Sequence, residues 1–541
     1  MVKRILNHRS KTIFSAAFVL GIAALVSRVL GLIRDRLLAG RFGAGDELDI
    51  YFTAFRLPDF VYSILILGAI ASAFIPVFSE YFEKDKKEAW KLTSGLFNLA
   101  SIFLIIISAI FVVLAPLLIS LIAPGFSGAK RDMTIILTRI MFLSPILFGL
   151  SSIFGGVLQY FHKFFVNSLA PVLYNVGIII GIIFLVPKLG LIGLAWGVVL
   201  GAGLHLLIQM PVAIASGFRF QGGFNFFHKG IKKIIKLMIP RTIGLAGFQI
   251  NFLIITAIAS TLVSGSIAIF NLSHNLYYVP IGIVGISFAS AVFPRLSKSF
   301  IQKDKKEFSF SFSVAFNEIL YLVLPISVLF FLLRAQIVRI VLGTGEFSWV
   351  DTRLTAASLG IFSVCVFAQA LVPLISRSFY AFHNTRTPVL ISLWSILINI
   401  AGSFFFVWIL VSGWFSEFIS GILRLNGISD FTVLGLPMAF ALAGILNFVF
   451  LLRAFDKKIG YWKPKLILES VWKMIISCVL MAIIVFSFLH LLDSIFDTKT
   501  FLGILFQTCV AGFFGGLVYF ISTLILRSPE ARGLVKRILR K

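Results

Sequence analysis

Apolar residues run along this chain in blocks long enough to cross a bilayer, and basic residues gather in the short stretches between the blocks. Blocks of helix-spanning length occur at 12–34, 52–78, 93–122, 133–160, 166–187, 190–215, 234–262, 266–293, 309–334, 353–380, 387–411, 432–453, 470–493 and 500–526. A transmembrane helix needs about 20 mostly apolar residues. No ten-residue alternation of apolar and polar positions marks a β-barrel. The pattern therefore predicts an all-α polytopic membrane protein of about fourteen transmembrane helices.

An internal repeat orders these spans. Ala71-Ser72-Ala73-Phe74-Ile75-Pro76-Val77-Phe78-Ser79-Glu80-Tyr81-Phe82, at the end of span two, matches Ala289-Ser290-Ala291-Val292-Phe293-Pro294-Arg295-Leu296-Ser297-Lys298-Ser299-Phe300, at the end of span eight. Both copies continue into Asp-Lys-Lys-Glu, at Asp85–Glu88 and Asp304–Glu307. A weaker echo links Leu189-Gly190-Leu191 with Leu434-Gly435-Leu436, which open spans six and twelve. Copies six helices apart share one orientation, so the chain is expected to form two pseudo-symmetric six-helix lobes. The expected boundaries are 1–220 for helices 1–6, 221–456 for helices 7–12, and 457–541 for helices 13–14 with a basic tail. Transporters built this way place the substrate between the lobes.

Composition and charge narrow the class. The chain is 59% hydrophobic and 13% charged, too apolar for a soluble protein of 541 residues. The net charge of +26 does not point to nucleic acid, because the lysines and arginines fall in inter-span clusters of the kind that cytoplasmic loops carry. With the N-terminus inside, the inner loops hold Lys84 to Lys91, Lys229 to Lys236, Arg295 to Lys306 and Lys457 to Lys465, and the tail from Arg527 is basic too. Both termini are thus expected on the cytoplasmic side of a multi-pass membrane protein, with residues 1–11 the flank of a retained signal anchor. Cys365, Cys478 and Cys509 are far apart in apolar runs and imply neither a disulfide framework nor a metal site. Acids are few, and there is no phosphate loop followed by Lys-Ser/Thr. The expectation is a protein that is not an enzyme and needs no cofactor or metal.

The chemistry concentrates at the first span. Ser27-Arg28-Val29-Leu30-Gly31-Leu32-Ile33-Arg34-Asp35-Arg36 places arginines where a lipid-facing helix would carry none. An Arg at the bilayer centre costs about 2.5–3.5 kcal/mol on insertion scales, so these side chains should face protein or water. Arg28 and Asp35, seven residues apart, share nearly one helix face, as do Ser27 and Arg34. Guanidinium groups suit phosphate because they donate in a bidentate fork and stay charged. Arg36 and Arg41 read equally well as interfacial anchors on an outer loop. Arg56 and Asp59 flank Pro58 at the start of span two, and Arg241 follows Pro240 near the start of span seven. His274 and Asn275 stand inside span eight beside Tyr277 and Tyr278, as a packed hydrogen-bonding pair or as a substrate contact. His205 reads as packing.

These residues resemble the MurJ/MviN family of lipid II flippases, part of the multidrug/oligosaccharidyl-lipid/polysaccharide exporter superfamily. The likeness rests on Ser27 to Asp35, Phe42-Gly43-Ala44-Gly45, Asp49, Phe55-Arg56-Leu57-Pro58, Ala73-Phe74-Ile75-Pro76, Ala123-Pro124-Gly125-Phe126 and Pro294-Arg295-Leu296-Ser297. It implies a twelve-helix core in two lobes and two further helices forming a groove for a lipid tail. It also implies a central cationic cavity for the diphosphate of an undecaprenyl-linked peptidoglycan precursor. By that likeness Arg28, Arg34, Asp35 and Asp49 match functional positions. The chain departs from the pattern at Tyr62 or Ser63 and at Asn275, where arginine is usual, and at Leu67, where glutamate is usual. No carboxylate stands in spans seven, eleven or twelve, where a sodium site described for some members would need one. The implied partners are the lipid-linked substrate, membrane lipids and proteins of cell-wall synthesis. The alternatives are a flippase for another polyprenyl-linked oligosaccharide and a non-transporting membrane scaffold.

Overall fold

The computed structural model describes residues 13–64, 70–221, 228–411, 413–459 and 464–539. Among them the regular secondary structure is entirely helical. The first helix, α1 (Ile13–Phe42), runs past its apolar block and carries Arg34, Arg36 and Arg41, so these arginines stand on the helix rather than on an outer loop. Arginine is a good helix former, and the helix stops only at Gly43, whose φ of +63° suits a left-handed cap. Span two carries α2 (Asp46–Tyr62) and α3 (Ile70–Lys84) on either side of residues 65–69, which are not described. There follow α4 (Lys86–Ile122), α5 (Gly128–Met141), α6 (Leu143–Tyr160), α7 (Phe164–Ile180), α8 (Val186–Leu189), α9 (Leu191–Ala215) and α10 (Lys229–Ser260).

The second half holds α11 (Ser266–Pro280), α12 (Ser287–Ile301), α13 (Lys305–Leu332), α14 (Arg334–Val341), α15 (Trp349–Ser363), α16 (Val366–Ala381), α17 (Arg386–Val411), α18 (Gly413–Leu423) and α19 (Gly435–Ile459). It ends with α20 (Pro464–Asp493), α21 (Phe501–Ile525) and α22 (Pro529–Leu539). Among the described residues ten spans are long and apolar enough to cross a membrane, or eleven when α15 and α16, bent by 46°, count as one. Three more predicted spans coincide with the charge-bearing α1, with α2 and α3 together, and with the lysine-led α10. The architecture is consistent with fourteen.

The chain divides into two compact units, Met1–Ala268 and Ile269–Lys541. In the first, glycines spaced by four set the closeness of two helices. A Cβ on Gly197 of α9 would lie 2.9 Å from the Gly181 Cα, and one on Gly201 would lie 2.5 Å from the Tyr174 carbonyl oxygen. Small-residue faces of this kind let membrane helices approach backbone to backbone. The packing fixes α7, which carries Tyr174 and Asn175, against α9, which carries His205. The core continues around Phe78, Trp90, Phe154 and Val157.

The second unit is organised around Phe312, which stacks on Phe455 at 4.2 Å between ring centres. The α20–α21 pair packs on α13, where the Tyr519 hydroxyl donates to the Tyr321 carbonyl at 2.9 Å. The internal repeat keeps its local structure in both units. Pro76 lies within α3 and Pro294 within α12. Each copy then turns at an aspartate that caps the next helix: Asp85 accepts from the Lys87 N–H at 2.8 Å, and Asp304 from the Glu307 N–H at 2.9 Å. A five- or six-residue π-helical segment follows α7, at Gly181–Leu185, and α11, at Ile281–Ile286. Pro280, which has no N–H to donate, adjoins the second of these.

Candidate functional site

In α1 the Arg34 guanidinium is held on both edges. Its Nε and Nη2 donate to Asp35 Oδ1 at 3.0 and 2.8 Å, and its Nη1 donates to Asn175 Oδ1 at 3.2 Å. The Asn175 amide is itself oriented, donating to the Ser27 carbonyl and hydroxyl at 3.3 Å each and to the Pro171 carbonyl at 3.1 Å. Asp35 is buried and Arg34 about one-fifth exposed. Paired and hydrogen-bonded in this way, an arginine is tolerated inside an apolar bundle.

Arg34 opens onto a cavity of about 200 Å³. Asp59, Tyr62, Tyr174 and His205 supply its other titratable side chains, against Phe55 and Phe148. The ring of Tyr62 lies 4.7 Å from that of Phe148. The Ser151 hydroxyl and His205 Nδ1 are 2.7 Å apart, so His205, read from the sequence as packing, is an oriented group at a polar cavity. Arg56, one turn before Asp59, donates from Nε to Thr256 Oγ1 at 2.9 Å and stands 5.2 Å from the centre of the Phe252 ring. Arg28 is half-buried on α1 and is not among the residues lining this cavity.

Asp49, in the first turn of α2, lies elsewhere, in a clasp with Lys130 of α5 and with residues 264–268 at the start of α11. It is 2% exposed, and its two oxygens accept from the backbone N–H groups of Gly265 at 2.8 Å and Ala268 at 2.9 Å. It thereby caps the N-terminus of α11, where a carboxylate is favoured both by the free N–H groups and by the helix dipole. Lys130 bridges Asp49 and Asp46 at 3.3 and 2.5 Å, and the Ser264 hydroxyl donates to Asp46 at 2.6 Å. The Lys130 ammonium and the Ser264 hydroxyl hold Asp46, ahead of the apolar part of α2, below the usual carboxylate range. The fit is close enough to demand glycine. Gly265 has φ +87°, and a Cβ there would meet the Ala44 carbonyl oxygen at 1.8 Å. Gly125 donates to the Ser260 hydroxyl at 3.2 Å.

In the second unit His274 sits in an aromatic cluster, with ring centres 5.4 Å from both Tyr277 and Phe440. Asn275 next to it is half-buried. The side chain of Arg241 and the whole of Leu67 lie outside the described residues. The sequence pattern singles out Asp59 beside Arg56, but not Asn175, Lys130 or Thr256. Asn175 had one signal: it is the only polar side chain other than tyrosine in the stretch from Leu169 to Pro187.

The family model described as "Lipid II flippase MurJ" matches residues 38–507. The chain belongs to the MurJ family. It is 27% identical to a probable lipid II flippase MurJ of Buchnera aphidicola (subspecies Acyrthosiphon pisum) over 508 residues, covering 93% of this chain and 95% of that one. It is 26% identical to the lipid II flippase MurJ of Burkholderia cenocepacia, over 73% of this chain and 78% of that one. Among solved structures, a lipid II flippase MurJ in an inward closed conformation matches with a TM-score of 0.75 at 27% identity, covering 96% of this chain and all of that one. An inward-facing multidrug resistance transporter of the MATE family, at 13% identity and a TM-score of 0.65, shares the fold, with coverage of 80% and 94%. For a MurJ-family chain, the Arg34 cavity and the Asp49 clasp are the two constellations to account for.

Proposed function

We propose that this chain is a lipid II flippase, moving an undecaprenyl-diphosphate-linked peptidoglycan precursor from the inner to the outer leaflet by alternating access, without catalysing a reaction. The observation that carries the reading is the Arg34 guanidinium, fixed by Asp35 and Asn175 at a polar cavity inside an apolar bundle. Asp35 orients the fork. One Nη1–H is held by a neutral amide oxygen, which an anionic phosphate oxygen displaces. Both bonds have the charged guanidinium as donor, but the phosphate oxygen adds the attraction of opposite charges, so the exchange favours the substrate.

Arg28 takes a second phosphate oxygen as the headgroup passes along α1, and Arg56 and Arg241 supply the positive charge missing at Tyr62 and Asn275. His274 and Asn275 contact the headgroup from the second lobe. The lobes are 1–220 and 221–456, and α20–α21 within 457–541 guide the polyprenyl tail. The Asp49 clasp is the outer gate, which must part for release. Both termini are cytoplasmic, the membrane is the bacterial inner membrane, and the basic loops meet proteins of cell-wall synthesis.

The test is rescue of cells depleted of their own lipid II flippase. Wild type should restore growth and Arg28→Ala and Arg34→Ala should fail, each being present in the membrane at wild-type level. Rescue by both variants would overturn the cavity reading. Failure of wild type to rescue, with export of a different polyprenyl-linked sugar, would overturn the substrate.

A further inference from the structure

The two copies of the internal repeat differ where each helix turns into the next. Aligned on Pro76 and Pro294, Tyr81-Phe82 of the first copy corresponds to Ser299-Phe300 of the second. The second copy then has one extra residue before its capping aspartate. That residue falls at Lys303, which adopts a φ of +56°. Aligned on Asp85 and Asp304, Trp90 corresponds to Ser309. In the first copy the Phe82 ring packs against Trp90 at 5.8 Å and Phe161 at 5.3 Å. In the second, Phe300 keeps the equivalent partner Phe382 at 5.1 Å, but serine stands where the first copy has tyrosine and tryptophan.

The second copy has a cavity of about 340 Å³ at this place, within the size range of small-ligand sites. Phe300, Phe308 and Phe382 form its apolar wall, and Lys303, Lys305 and Lys458 stand around it. Lys458 lies 6.0 Å from the centre of the Phe382 ring. The one acid in the lining is Asp304, whose carboxylate caps α13 through the Glu307 N–H. The lining therefore carries a formal excess of positive charge, three lysines against one aspartate.

All three lysines lie beyond the apolar parts of their spans, on the side reached after spans eight and twelve. By the orientation proposed above this is the cytoplasmic face, where the anionic lipids of the leaflet are met by basic residues. A phosphate bearing an acyl tail matches such a site: lysines for the headgroup, phenylalanines for the first carbons of the chain. We infer that this cavity binds the headgroup of an anionic phospholipid of the inner leaflet, beside the turn between α12 and α13. It is separate from the Arg34 cavity, and it rests on the proposed orientation but not on the transported substrate.

The experiment uses the purified full-length protein, titrated separately with phosphatidylglycerol, phosphatidylethanolamine and inorganic phosphate. Retained lipid is read by native mass spectrometry and thermal stability by melting. Wild type should keep one tightly bound phosphatidylglycerol and be stabilised by it. Each Lys→Ala change at 303, 305 and 458 should weaken that binding about fivefold. Ser299→Tyr, which restores the bulk of the first copy and leaves every charge in place, should lose it as well. Melting without lipid checks that each variant folds, and Lys303→Ala, on an exposed turn, is the variant to use if Ser299→Tyr does not. Undiminished binding in the triple lysine variant would overturn the inference. So would retained binding in a folded Ser299→Tyr protein, which would mark diffuse surface attraction. Equal stabilisation by inorganic phosphate or phosphatidylethanolamine would overturn the assignment to an anionic lipid.

Discussion

Asp49→Ala removes the acceptor of two buried backbone donors at once. The N–H groups of Gly265 and Ala268, at 2.8 and 2.9 Å from the carboxylate, lose their partner in a place closed to water by the contact of Gly265 with Ala44. Each unsatisfied buried group costs about 1–3 kcal/mol, so the clasp loses about 2–6 kcal/mol. Asp49→Asn keeps one acceptor oxygen and loses roughly half as much. A change of 1.4 kcal/mol is tenfold in an equilibrium, so Asp49→Asn should open the clasp roughly five- to a hundredfold more often, and Asp49→Ala more often still. Hydrogen–deuterium exchange on peptides covering residues 262–269 measures this directly. The expected order of exchange is wild type, then Asn, then Ala, with peptides from α13 unchanged. Exchange at 262–269 that is identical in all three proteins would refute the reasoning, whatever happened to transport.

Other outcomes follow from the same geometry. Asn175→Ala should lower transport through Arg34 alone, so adding it to Arg34→Ala should reduce translocation no further; additive losses would place Asn175 in a separate role. Gly197→Leu forces a side chain into the Gly181 backbone and should destabilise the protein by about 1–3 kcal/mol, seen as a lower melting temperature. Gly203→Ala, which meets open space on the same helix, should be neutral or slightly stabilising. Asp46 has a depressed folded-state pKa, so its stabilisation is present above the unfolded value of about 4 and is lost as pH falls through the folded value. The melting difference between wild type and Asp46→Asn should accordingly be constant near neutral pH and vanish in acid.

Much of the fold is legible in the sequence because the bilayer imposes one rule, that an apolar block must be a helix. The repeat at Pro76 and Pro294 is visible for a related reason, since the same turn geometry needs the same residues twice. The end of α1 was harder to place. Its arginines favour an outer loop by hydropathy, yet they form good helix, and Arg34 is accommodated by Asp35 and Asn175. The Arg34–Asp35 pair is adjacent in sequence, yet helix-face spacing sets Asp35 with Arg28 and Arg34 with Ser27, and does not single it out. Asn175 lies 141 positions from Arg34, and only the packing of α7 on α1 brings the two together. Asp49 was found through family likeness, but its partners could not be. They are backbone N–H groups, which leave no trace in residue identity. Lys130 stands outside every sequence motif, and nothing beside it marks an acidic partner 81 positions away.

The central claim is translocation of a lipid-linked diphosphate through the Arg34 cavity. The most direct measurement is the appearance of lipid II in the outer leaflet of vesicles holding the purified protein, read by a probe that cannot cross the membrane. The account predicts flipping by wild type, little by Arg34→Ala and partial recovery with Arg34→Lys, which restores the charge but not the bidentate fork. Flipping by Arg34→Ala at the wild-type rate would contradict it.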